Sequence, residues 1–168
     1  MTARLLIVWH SRTGAARQMA QALAEGARRA AQECEAPIDV TLRPALQASA
    51  QDVLNADGYL FCAPENLGAL SGEMKAFFDR RYYDALDRIA GRPYALAISA
   101  GSDGQGAVAQ ASRICTGWRL SKIAEPIILS FSAQTPQAIL AEKTLSDAQR
   151  EACATLGGLM AGTLLLAA

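Results

Sequence analysis

The sequence predicts an α/β protein, a three-layer sandwich whose five-stranded parallel sheet, of order 2-1-3-4-5, carries helices on both faces. Three observations lead there. Residues 5–9, 59–63 and 94–98 are short, continuous apolar runs, the mark of strands buried on both faces. Segments of helical period lie between them, so strand and helix alternate five times and right-handed crossovers follow. Only the second strand alternates, Ile38, Val40 and Leu42 against Asp39, Thr41 and Arg43, which suits a sheet edge with one wet face and selects the order. At 168 residues the chain fits one domain spanning 1–168.

The first strand runs straight into His10, Ser11, Arg12, Thr13, Gly14, Ala15 and Ala16. A helix follows, with Ala16, Met19, Ala20, Leu23, Ala27, Ala30, Ala31 and Cys34 on one stripe and Arg17, Gln21, Glu25, Arg28, Gln32 and Glu35 opposite. Pro44 closes the edge strand, and a short helix over 51–55 leads to Asp57, Gly58 and the third strand, which Pro64 ends. Residues 64–70 read as a loop. Ser71 is placed to cap the next helix, with Glu73 in its first turn, Met74, Phe77 and Phe78 in its body, and Tyr82, Tyr83, Leu86 and Ile89 extending the pattern to Gly91. The glycine-rich stretch 100–106 follows the fourth strand and opens a helix ending near Gly117. Residues 126–129 supply the fifth strand, and residues 130–145 form a long connection without clear period. Ser146 and Gln149 make a capping box, and Ala152, Leu156, Leu159, Met160, Thr163 and Leu164 are the expected buried stripe of the last helix.

In this order the loops after strands one, three and four meet at the carboxyl edge of the sheet, at the topological switch point. The first of them is an anion site by construction. The opening N–H groups of a helix have no partner within it, the dipole favours negative charge there, and Ser11 and Thr13 add hydroxyls, so the amides of residues 12–16 suit a phosphomonoester without a side-chain cation. No GxxxxGK[ST] is present, which argues against a nucleoside triphosphatase. Gly104, Gly106 and Ala109 satisfy GxGxxA, yet Glu125, at the ribose-acid spacing, begins the next strand where it should end it.

Composition narrows the partners. Sixteen basic and sixteen acidic side chains cancel without blocks, leaving no electrostatic case for nucleic acid or an anionic membrane. The apolar tail 156–168 is shorter than the roughly 20 residues of a membrane span and reads as a buried helix face. Cys34, Cys62, Cys115 and Cys153 are scattered in apolar stretches and read as reduced core thiols, and no metal-ligand spacing is present. The N-terminal residues carry no signal-peptide pattern, so the expected location is cytoplasmic. Phe77, Phe78, Tyr82 and Tyr83 exceed one narrow helical stripe; core burial takes one or two, and a contact between copies of the chain is the alternative for the rest.

Residues 8–14 (VWHSRTG), 56–58 leading to Ala63 and Pro64, Gly68, residues 74–80 (MKAFFDR) and residues 99–101 (SAG) together resemble the flavodoxin-like superfamily, nearest to its NAD(P)H-dependent FMN reductases and quinone reductases, over residues 4–130. The resemblance implies a flavodoxin-like fold and one FMN, whose phosphate Ser11, Arg12, Thr13, Gly14, Ala15 and Ala16 hold. It places Pro64, Glu65, Asn66, Leu67 and Gly68 beside the isoalloxazine and ribityl chain, and Gly101, Ser102, Asp103 and Gly104 along the other side of the ring. Ala16 stands where the family often has Thr. Leu67, Ser102 and Asp103 stand where flavodoxins carry aromatics, which implies an open ring face.

The chemistry implied is hydride transfer from NAD(P)H to the flavin and on to a small-molecule acceptor, a quinone, flavin or similar compound, with no dedicated acid or base. His10, the only histidine, reads as a hydrogen-bond partner near phosphate or ring, or as a structural residue behind them. Two other functions share the same features: a flavodoxin-type electron carrier without catalysis of its own, and a binding protein that has lost the flavin. Carriers are usually strongly acidic, which the zero net charge does not match.

Overall fold

A computed structural model describes residues 1–168. In chain order the elements are β1 (Ala3–Trp9), α1 (Ala15–Glu33), β2 (Ile38–Pro44), α2 (Ala50–Asn55), β3 (Gly58–Asn66), β4 (Ala69–Leu70), α3 (Gly72–Ala85), β5 (Pro93–Ala100), α4 (Gln105–Gly117), β6 (Ser121–Lys122), β7 (Ile127–Ser130), α5 (Pro136–Leu140) and α6 (Asp147–Ala167). Strands β2, β1, β3 and β5 are parallel neighbours in that order. Ile7 lies between Leu42 and Leu60, and Phe61 opposite Leu96.

The fifth position is occupied by two short pieces rather than one strand. Pro93 faces Ser121 and Ala97 faces Ile127, so the edge carries two residues more than β5 between those pairs. Pro126, which has no N–H to give, sits in the break. The order 2-1-3-4-5 therefore holds with its last strand split. Ser121 and Lys122 are exposed and polar, and no apolar run marks them in the sequence.

Alternation along the strands divides the core between the two faces of the sheet. Leu6, Val8, Tyr59 and Phe61 pack with Met74, Phe77, Phe78 and Trp118 on one side, while Leu5, Ile7, Leu60 and Cys62 pack with Met19, Leu23, Cys153 and Met160 on the other. Phe77 and Phe78 are adjacent yet both buried, because Phe78 sits edge-on to Phe61 at 4.9 Å and to Trp118 at 5.2 Å. Tyr82 is half-buried and Tyr83 is 82% exposed, their rings 5.0 Å apart. The helix itself stops at Ala85, short of Gly91, where Asp87 takes a positive φ of 61°.

Helices α1 and α6 touch backbone to backbone. A Cβ on Gly26 would lie 1.9 Å from the Ala154 carbonyl oxygen, and one on Gly157 would lie 1.9 Å from that of Leu23. This contact turns the buried stripe of α6 toward Cys153, Ala154, Gly157 and Ala161, and leaves Ala152 and Leu159 exposed, contrary to the sequence expectation. Cys34 is also exposed, lying just past the end of α1, whereas the other three cysteines are buried as expected. No helix is long and apolar enough to cross a membrane.

Candidate functional site

Strands β1, β3 and β5 deliver three loops to one edge of the sheet. In the first, Gly14 adopts a left-handed φ of 91°, and the Ser11 hydroxyl accepts its N–H at 3.1 Å. Helix α1 then opens with no side-chain cap and no acidic residue in its first turn, and no protein group accepts from the amides of Ala15, Ala16 or Arg17. The positive end of α1 is left without compensation. Ala16 itself is buried, its carbonyl accepting the Cys62 thiol at 3.2 Å, so it offers this site only its amide.

The second helix start at this edge is already satisfied. Gly104, at φ 84°, precedes α4, and the Glu65 carboxylate accepts from the amides of Gly104 at 2.9 Å and Ala107 at 3.0 Å. Glu65 is thus a cap for α4, its carboxylate facing the amides of Gly104 and Ala107. A Cβ on Gly106 would lie 1.9 Å from the Gly68 carbonyl oxygen, so that glycine admits the neighbouring turn, and Glu125 pairs with Lys122 at 2.8 Å in the edge break. Within the GxGxxA pattern, Gly106 thus serves packing.

Residues 64–70, expected as a loop, form a hairpin. Strand β3 continues through Pro64 to Asn66, turns at Leu67 (φ 53°) and Gly68 (φ 73°), and returns as β4, with Glu65 opposite Leu70. Two left-handed residues in a two-residue turn match the twist of the paired strands. The Gln110 side-chain oxygen Oε1 accepts the Leu70 N–H at 2.8 Å and fixes the hairpin to α4. Pro64 does not end the strand: it lies beyond Cys62, the last residue of β3 paired with β1, and still stands opposite Ser99 of β5.

Arg12, Thr13 and Ala15 from the first loop, Pro64, Glu65 and Asn66 from the hairpin and Gly101 from the third loop line one cleft of about 70 Å³. Ser11 and Gly14, together with Arg12 and Thr13, line a second cleft of about 420 Å³ on the outer side of the first loop, beside Trp9 and Arg17. Leu67, Gly68, Ser102, Asp103 and Gly104 line neither cleft; Leu67, Ser102 and Asp103 are exposed and Gly68 turns against α4.

Residues 130–145 supply a wall that sequence reasoning missed. The Ala133 N–H donates to the Gly101 carbonyl at 2.8 Å, Thr135 caps α5 at 3.2 Å, and Phe131, Ile139 and Lys143 close the cleft. Gln18 fastens this segment to α1, donating to the carbonyls of Gly14 at 3.1 Å and Lys143 at 2.7 Å and accepting from the Leu145 N–H at 3.2 Å. No periodicity marks such tertiary hydrogen bonds in the sequence. His10 shares its Nδ1 with the Ser71 hydroxyl at 2.9 Å, and its Nε2 lies 3.5 Å from Glu73. Ser71, fully buried, spends its side chain on His10 and makes no cap bond to α3, where the sequence expected one. His10 is therefore a tie between the first loop and α3, outside both clefts. No group of three or more His, Cys, Asp or Glu side chains is placed to hold a metal.

Residues 10–131 match the family model of NADPH-dependent FMN reductases. The chain is 31% identical over 159 residues to a flavodoxin of Aquifex aeolicus (strain VF5), covering 92% of this chain and 83% of that protein. It is 34% identical over 92 residues to an NAD(P)H dehydrogenase (quinone) of Acidithiobacillus ferrooxidans (strain ATCC 53993 / BNL-5-31), covering 46% of each. The solved structure of a flavodoxin from the domain Archaea shares the fold with a TM-score of 0.76 at 15% identity, over 96% of this chain and 99% of that one. An uncapped helix start at the switch point and a family match that runs from that loop past the fifth strand agree: the chain belongs to the NADPH-dependent FMN reductase family.

Proposed function

We propose that the chain binds FMN and uses NAD(P)H to reduce a small acceptor, a quinone, a flavin or a similar compound. The observation that carries this reading is the contrast between two helix starts at one edge, α4 neutralised by Glu65 and α1 left with free amides. The donor set fits a phosphate monoester: the amides of Arg12, Thr13, Ala15 and Ala16, the Thr13 hydroxyl, and Arg12, whose guanidinium has no protein partner. Ser11 shapes the loop through its bond to Gly14.

The 70 Å³ cleft is smaller than the roughly 300 Å³ of a site that encloses a whole small ligand. It suits the phosphate end and part of the ribityl chain, with Pro64, Asn66 and Gly101 alongside. The ring belongs at the mouth, where Leu67, Ser102 and Asp103, none of them aromatic, are exposed. Bound FMN supplies the hydride acceptor and donor; the chain's own residues hold it, orient it and leave it reachable.

The Aquifex relative named flavodoxin favours one other reading, an electron carrier reduced by a separate protein. One preparation separates the two. Protein incubated with FMN and freed of excess by gel filtration is expected to keep a perturbed flavin absorbance band and to oxidise NADPH or NADH when a quinone is present. Retained flavin with slow NAD(P)H oxidation and fast reduction by a protein reductase selects the carrier, and no retained flavin ends both.

A further inference from the structure

We propose that Lys143 makes this site select a phosphorylated flavin, by bringing a cation from a distant part of the chain to the wall of the cleft; the inference rests on the FMN reading above. Lys143 lies in the connection between β7 and α6 and lines the cleft with Arg12 and Thr13. Its backbone is pinned to that loop from both sides: its N–H donates to the Thr13 carbonyl at 2.9 Å, and its carbonyl accepts from the Gln18 amide at 2.7 Å.

The ammonium is equally fixed. It donates to the carbonyls of Ala138 at 2.6 Å, Ile139 at 3.2 Å and Ala141 at 2.6 Å, which uses all three of its hydrogens. No carboxylate pairs with it, although the residue is half-buried; Glu142 lines the outer cleft beside Gly14. Carbonyl dipoles hold a cation in place without cancelling its charge. The one carboxylate lining the cleft, Glu65, is spent on the amides of Gly104 and Ala107. Lys143 and Arg12 therefore line a cleft that has no free carboxylate in its wall, the unpaired Glu142 lying beside Gly14 in the outer cleft. FMN and riboflavin share ring and ribityl chain and differ by one phosphate, so a charge in this place acts on the first and leaves the second alone.

The test is to titrate the wild type, K143M and K143R with FMN and with riboflavin, reading flavin fluorescence at low and at high salt. Lys143→Met keeps the length of the stem and removes the charge. It is expected to weaken FMN about tenfold by removing the through-space attraction of the charge, to leave riboflavin unchanged, and to flatten the salt dependence of FMN binding. Lys143→Arg should retain most of the FMN affinity. Equal losses for both flavins would show that Lys143 only holds its segment in place, and an unchanged ratio with strong FMN binding would end this proposal alone. A wild-type chain that binds neither flavin ends the FMN reading and this one with it.

Discussion

Cys34 is the only thiol that solvent reaches, and the other three sit where a thiolate is hard to form. Burial pushes Cys153 up to about 11 and moves Cys62 and Cys115 further in the same direction, in Cys62 with the neighbouring Cys153 adding to the effect. Ellman's reagent at pH 8 is therefore expected to titrate one thiol in the native protein and four after denaturation, and rapid labelling of a second would contradict this burial. Glu65 offers a second measurement on a single side chain. Removing its carboxylate in Glu65→Ala uncovers the amides of Gly104 and Ala107, and an N-terminal cap of this kind contributes about 1 kcal/mol, more where both oxygens are used. Urea denaturation should show that loss of stability. A variant as stable as the wild type would mean that the carboxylate does not face α4 in solution.

Among the elements, the pair α1 and α6 depends on what two glycines lack. Gly157→Ala puts a methyl carbon 1.9 Å from the Leu23 carbonyl oxygen, and because backbone stands on both sides, the helices must separate. The expected cost is about 1–3 kcal/mol, against a small gain for alanine at an unobstructed helix site such as Gly162, where nothing stands within 4 Å. Thermal melts of the two variants side by side separate this close approach from helix propensity. The same contact explains a limit of reading α6 from its sequence. Hydrophobic period selects Leu159, but a leucine is excluded from a seam that admits only Gly157, Ala154 and Ala161, so it ends outside. Small residues carry little hydropathy signal even where they are the most tightly packed. The hairpin of β3 and β4 escaped for a related reason, since the turn at Leu67 is flanked by bonds to α4, Leu70 N–H to the Gln110 side chain and Gly104 N–H to Glu65, between residues far apart along the chain.

At the scale of the molecule, sheet order was legible because burial on both faces and burial on one face leave different patterns, as Leu5, Leu6 and Ile7 against Ile38, Asp39 and Val40 show. The site was legible in part. Ser11, Thr13, Gly14 and Gly101 follow strands and lie at the expected edge, whereas Gln18 and Lys143 have no motif and meet only in three dimensions. If the edge holds FMN, the whole fold feels it, since the first loop, the hairpin and the 130–145 connection all contribute. Cofactor at about a hundred times its Kd should then add about 2.7 kcal/mol to unfolding and raise Tm by about 5–10 °C, and a melt unmoved by FMN would count against the site. The split between β6 and β7 has a different consequence. Its two short ladders, offset by two residues around a proline, give a foreign strand no continuous row of amides and carbonyls to zip onto. That flank of the sheet is thereby closed to the edge-to-edge growth that turns soluble α/β proteins into aggregates.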